Sequence, residues 1–160
     1  MNSRKINILA KKLVARYFMQ PQKGSPYRGE FRDMVTSYAP EIAKRVKSFV
    51  ADEVSSRYDV NINGNDVKKY ESHYYAFRDE EKNSNKYHYV AVYSCEANGV
   101  ELFAPIDVYG RIGEVKKVQL IGEITESLNS AKQDMNKYIA RKTAPSKGYQ
   151  EITLRIGSRA

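Results

Sequence analysis

The chain has 160 residues, 41% of them hydrophobic and 29% charged, with a net charge of +8 and a single cysteine. That length fits one domain, or one domain with an appended arm, and it can bury a sizeable core. The composition excludes an internal disulfide and a cysteine-built metal site, and no apolar run approaches the roughly 18–20 residues of a membrane span.

The N-terminus lacks the continuous apolar stretch of a secretory signal, so a cytoplasmic protein with no membrane partner is expected. The first acidic residue is Glu30; before it lie Arg4, Lys5, Lys11, Lys12, Arg16, Lys23 and Arg28. Ile6, Leu9, Leu13 and Tyr17 recur at steps of three or four, which predicts an amphipathic helix over 5–19 with a basic opposite face. Residues 1–22 therefore read as a basic helical arm, whose cations stay in water, or meet nucleic acid or a partner subunit, with a membrane-surface or organelle-targeting helix as the third reading. Pro21, Gly24, Ser25, Pro26 and Gly29 mark a linker, after which residues 30–160 form a single domain.

Phe31, Met34, Val35 and Tyr38 give a short helical face. Pro40 suits the first turn of a new helix, with Glu41 near its positive end. Ile42, Val46, Phe49, Val50 and Val54 form the buried stripe of that helix, which should run to about Arg57 with Lys44, Arg45 and Lys47 in water.

The period then changes to two. Strands are predicted at about 67–78, 86–97, 100–109 and 114–123, with Asn98-Gly99 a tight hairpin and Gly110 to Gly113 another turn. Their connections are too short for parallel crossovers, so the strands form an antiparallel meander. Thr125 is the expected N-cap of a further helix whose core face is Leu128, Ala131, Met135, Tyr138 and Ile139, and whose C-terminal end holds Lys137, Arg141 and Lys142. Ile152, Leu154 and Ile156 then alternate as a last strand. The fold class is α+β: a mainly antiparallel meander sheet of about five strands, with helices packed on one face.

Tyrosine is abundant, 13 residues against no tryptophan. Tyr87, Tyr89 and Tyr93 share one face of the second strand with Ala91 and Cys95, while His88, Val90 and Val92 share the other; Tyr75 and Phe77 share a face of the first strand with His73. A tyrosine-bearing sheet face serves base stacking, a subunit interface or plain packing. The net charge is +6 over 1–60, −3 over 61–110 and +5 over 111–160, so the tyrosine-rich middle is not itself basic. An anion-binding surface has to bring cations from the two ends of the chain around it.

No phosphate-binding glycine loop is present, because Gly110-Arg111-Ile112-Gly113 lacks the lysine and the strand-to-helix setting. His73 and His88 have no Cys or His at ligand spacing and read as strand residues; Cys95 reads as a small buried hydrophobe. No cofactor and no metal are expected.

If Gly110 to Gly113 closes a simple turn, Tyr109 lies opposite Glu114 and Asp107 opposite Lys116. Asp107 followed by Glu114-Val115-Lys116 resembles the Asp…Glu-x-Lys nuclease superfamily over residues 41–156. That resemblance implies two carboxylates holding a divalent metal and a lysine assisting the attacking water. A solvated Asp107–Lys116 ion pair accounts for the same residues.

The leading expectation is a non-enzymatic nucleic-acid-binding protein. Its candidate contacts are Arg4, Lys5, Lys11, Lys12, Arg16, Tyr75, Tyr87, Tyr89, Tyr93, Lys116 and Lys117. A structural subunit of a homo-oligomeric assembly, such as a viral or phage particle component, is the alternative, with identical subunits as partners. The metal-dependent nuclease is third.

Overall fold

The computed structural model of the chain describes residues 30–79 and 81–152, with side chains from Ser37 onward. The predicted arm over 1–22, and Leu154 and Ile156 of the predicted last strand, lie outside the described residues. Helix α1 (Glu30–Tyr58) leads into strands β1 (Lys68–Asp79), β2 (Ser84–Ala97), β3 (Val100–Arg111) and β4 (Lys117–Leu120). Helix α2 (Leu128–Lys142) and the short strand β5 (Gln150–Ile152) complete the domain. All strand pairs are antiparallel, in the order β4-β3-β2-β1-β5, so the predicted α+β class and five-stranded meander are borne out.

Helix α1 forms because Ile42, Val46, Val50 and Val54 recur every fourth residue and bury completely against the sheet. Pro40 lies inside this helix instead of starting it. The ring costs one helical hydrogen bond, but it sits on the exposed side before the buried stripe begins, so the packing is undisturbed. At the β2–β3 hairpin, Asn98 and Gly99 take φ of 53° and 81°, the paired left-handed conformation of a two-residue turn, and Ala97 pairs with Val100.

The helices do not share one face of the sheet. Tyr87, Tyr89, Ala91, Tyr93 and Cys95 of β2, with Leu102, Ala104, Ile106 and Val108 of β3, pack with the α1 stripe. Val90, Val92 and Phe103, on the opposite face, pack with Ala131, Met135 and Tyr138 of α2. The reason is in the strands: both parities of β2 are apolar, so both faces need cover.

Two further expectations are corrected. Ser127, not Thr125, caps α2, its side chain accepting from Ser130 N; Thr125 is taken up by a backbone bridge to Phe103. Strand β4 spans only Lys117–Leu120 and pairs Tyr109 with Lys117 and Asp107 with Gln119. Residues 112–116 are spent on the turn, because β3 continues to Arg111 and Ile112 N bonds Asn85 O at 3.1 Å. At the other end Pro105 has no N–H to offer, so the ladder stops after Ile106–Leu120, with Ile121 N donating to the Pro105 carbonyl.

The α1-side core is built from tyrosines. Tyr74 stacks on Tyr87 at 5.2 Å, the Tyr87 hydroxyl donates to Glu114 O at 2.7 Å, and the Tyr89 and Tyr93 hydroxyls meet at 2.9 Å. The hydroxyls of Tyr87, Tyr89 and Tyr93 have each found a partner, as burial requires. Cys95 is buried among them, and burial raises its thiol pKa. Tyr93→Ala should destabilise the fold by about 3–5 kcal/mol, the cost of emptying an aromatic site, whereas Tyr93→Phe should lose only about 1 kcal/mol for one hydrogen bond; denaturant unfolding separates the two.

Strand β5 is held by three residue pairs to β1 and by His73, whose Nδ1 lies 2.9 Å from Glu151 Oε2 and whose Nε2 lies 2.7 Å from Glu71 Oε2. Burial pulls the imidazole pKa down, but Glu151 and Glu71 outweigh it and the pKa is raised. The Glu71 carboxyl is lowered, chiefly by its bond to His73 and further by Lys132. A raised histidine contributes stability that is complete below its unfolded value of 6.5 and lost as pH rises through the folded value. The thermal midpoint should therefore fall as pH rises above about 6.5, and His73→Asn should flatten that fall.

Candidate nucleic-acid interface

Antiparallel pairing lines up side chains from successive strands on one face. On the α2 side, one such row runs Lys117, Tyr109, His88, Tyr75, Glu151 across all five strands. The next row outward is Arg111, Lys86, Phe77; the next row inward is Gln119, Asp107, Val90, His73. Helix α2 covers the sheet up to the Asp107 row. Beyond it Tyr109, His88, Tyr75 and Phe77 are half-buried, and Lys86, Arg111 and Lys117 are exposed.

The inner row is organised by Asp107, which has no exposed surface. Its Oδ1 lies 2.9 Å from His88 Nδ1; its Oδ2 accepts from the Tyr138 hydroxyl at 2.7 Å and, more weakly, from Gln119 Nε2 at 3.5 Å. Gln119 Nε2 also donates to the Tyr138 hydroxyl at 3.3 Å. Burial, and then the bond to Asp107, raises the Tyr138 phenol, which therefore stays a donor. A carboxylate only accepts, so the His88 tautomer that fits carries its proton on Nδ1.

The His88 ring stands among three tyrosines, with centroids 5.7 Å from Tyr109, 6.0 Å from Tyr138 and 5.5 Å from Tyr149. Tyr149 also meets Phe77 at 5.6 Å. It is brought there by Gly148, whose φ of 90° ends the 3₁₀ turn Pro145–Lys147 and whose Cα approaches so closely that a Cβ would stand 2.6 Å from the Phe77 ring. Burial, and then the Glu151 carboxylate, pushes the Tyr75 phenol up to about 12.

Cations surround this aromatic floor. Lys86 Nζ lies 4.9 Å over Phe77, the Arg141 guanidinium lies 5.4 Å over Tyr138, and Arg111 is held by a bond from Nη1 to Asn83 O at 3.2 Å. Lys147 Nζ donates to the Arg141 carbonyl at 2.8 Å, so the end of α2 and the segment after it carry charge to the same edge. Rings with cations beside them suit a ligand that is planar and anionic at once, which nucleic acid is.

Of the residues singled out from sequence, Tyr75 and Lys117 lie on this row, and Lys116 is exposed in the turn beside it. Tyr87, Tyr89 and Tyr93 do not: they are 1%, 5% and 0% exposed beneath α1 and have no ring face to give a ligand. Arg4, Lys5, Lys11, Lys12 and Arg16 lie outside the described residues. The nuclease set is not assembled, since the register puts Gln119 and not Lys116 opposite Asp107, and both Asp107 oxygens are already bonded. Among the described residues no group of three His, Cys, Asp or Glu is placed to share a metal.

Sequence reasoning passes over Phe77, Lys86, His88, Arg111, Arg141 and Tyr149 as site residues. Parity puts Lys86 and His88 together on one face of β2, but which face stays open depends on where α2 ends.

The WGR domain family model matches residues 71–155, more than half of the chain. No curated protein matches it.

Gly110 lies between Tyr109 and Arg111 in β3, opposite Tyr87, with its Cα against the turn that follows. A Cβ there would stand 2.8 Å from Lys116 N and 3.1 Å from Glu114 O, both backbone atoms that cannot swing aside. Gly110→Ala should therefore destabilise by about 1–3 kcal/mol and displace the neighbouring Arg111 and Lys117, visible as backbone amide shifts confined to 109–118.

Proposed function

The chain belongs to the WGR domain family, a nucleic-acid-binding domain found in PARP-related and DNA-repair proteins, and on that premise we propose that it binds nucleic acid on the α2 side of its sheet, without catalysing a reaction on it. Tyr109, Tyr75 and Phe77 offer rings to bases or sugars. Lys86, Arg111, Lys117 and Arg141 neutralise backbone phosphates. Lys116 and the basic residues Arg4, Lys5, Lys11, Lys12 and Arg16 add charge that is not specific to sequence.

The observation that carries this reading is the juxtaposition of half-buried rings and exposed cations on a stretch of sheet that, among the described residues, neither helix covers. Tyr109-Gly110-Arg111 supports it. Read in one-letter code the family's label spells Trp-Gly-Arg, and this is the chain's single aromatic-Gly-Arg run, inside the matched region. Gly110 lets the chain turn tightly there, so Tyr109 and Arg111 keep their places on the face.

Fluorescence anisotropy with labelled DNA and RNA oligonucleotides tests the proposal. Affinity should fall steeply with salt, because each phosphate contact releases counterions. Tyr109→Ala should weaken binding by about 1–3 kcal/mol, the range for loss of one stacked base. Lys117→Ala should weaken all sequences alike and lower the salt slope by about 1. Deleting residues 1–22 should weaken binding without abolishing it. No binding at low salt, or full binding by Tyr109→Ala, would remove the proposal.

A further inference from the structure

Among the described residues, His88 has one ring nitrogen bound and one without a partner. Its Nδ1 is held by buried Asp107 at 2.9 Å, and no described residue bonds its Nε2. The side chain keeps 14% of its surface exposed, in the row between Tyr109 and Tyr75 at the edge of the aromatic floor. Asp107 fixes one proton on Nδ1, so a second proton has only Nε2 to occupy. The ring then becomes a cation lying over a buried carboxylate, with an N–H donor among the tyrosines.

We propose that His88 is a phosphate-binding residue of this surface: protonated, it donates from Nε2 to a backbone phosphate of the bound nucleic acid, so binding is coupled to proton uptake. The inference rests on the nucleic-acid reading of the face. Histidine is the side chain whose charge changes between pH 5 and 8, and a charge-assisted bond to phosphate forms only with the charged ring.

Titratable and charged groups face His88 from every element around it. From β3 come Asp107 and Tyr109, from α2 Tyr138 and Arg141, from β1 Tyr75, and from the segment before β5 Tyr149; Lys86 neighbours it on β2, and Lys117 stands beyond Tyr109. Among the described residues Asp107 is the acid in direct contact with the ring, at 2.9 Å. The positive neighbours serve the phosphate, which in turn neutralises them when it arrives.

The test is the affinity of the whole protein for a short single-stranded oligonucleotide at fixed salt, at pH 8.0 and pH 6.0, a window in which few groups besides histidine titrate. The parent should bind about tenfold more tightly at pH 6.0, the size of one charge-assisted hydrogen bond. His88→Gln, which retains an N–H donor for Asp107 but cannot charge, should lose most of that change, while His73→Asn should keep it. Should His88→Gln misfold, the parent alone decides: by linkage the oligonucleotide must raise the pH midpoint of the His88 ring ¹⁵N resonances. An equal pH response in parent and His88→Gln, or an unmoved midpoint in a protein that does bind, overturns the role of His88 and leaves the nucleic-acid reading standing. Absence of binding at either pH, at low salt, removes that reading and this one with it.

Discussion

The buried Asp107 carboxylate is the interaction on which the α2 side of the protein depends. A charge without solvent costs several kcal/mol unless hydrogen bonds replace the lost water. Asp107 obtains them from three elements at once: His88 on β2, Gln119 on β4 and Tyr138 on α2. Satisfying one carboxylate therefore pins the last turns of α2 to the sheet, sets the tautomer of His88 and selects the register in which Gln119 stands opposite. Each partner is replaceable in volume but not in donor geometry, so this cluster joins fold to function more tightly than any apolar contact in the molecule.

The two faces of the sheet show how burial sorts one residue type into two uses. Tyrosines at the odd positions of β2 lie beneath α1, where the rings fill the core and the hydroxyls bond to one another or to backbone. On the other face α2 has 15 residues, roughly 22 Å of helix. It faces strands of 12 and 14 residues, roughly 40 Å long or more. The uncovered length holds Tyr109, His88, Tyr75 and Phe77, with Lys86, Arg111 and Lys117 among them. Coverage, not composition, separates structural tyrosine from tyrosine that can meet a ligand. It also explains how a surface with cations can arise in the acidic middle of the chain: Arg111, Lys117, Arg141 and Lys147 all come from the basic last third.

Much of the architecture was legible in the sequence because it rests on local periodicity. The four-residue stripe from Ile42 to Val54, the alternation of β1, β2 and β3 and the Asn98-Gly99 turn each express a short-range rule that tertiary contacts then reinforced. The misreadings have a common origin. Pro40 as a helix start, Thr125 as a cap and Gly110 to Gly113 as a four-residue turn are all locally sensible, and each was overridden by a partner distant in the chain. The turn matters most, because a shift of three in the β3–β4 register is odd. It replaces Lys116 by Gln119 opposite Asp107 and turns an exposed ion pair, or a metal site, into a buried polar cluster.

By itself, then, the sequence determined the class of the fold, the order of its elements and the parity of residues along each strand, since these follow from backbone geometry over a few residues. It also determined that any binding surface for anions would have to import its cations from outside the tyrosine-rich segment. Only the tertiary structure decided which face α1 and α2 each occupy, how far along the strands α2 reaches, and that Asp107 is buried. Those outcomes depend on which apolar surfaces meet across long stretches of chain, and on a hydrogen-bond demand that exists only once water has been excluded from around the carboxylate.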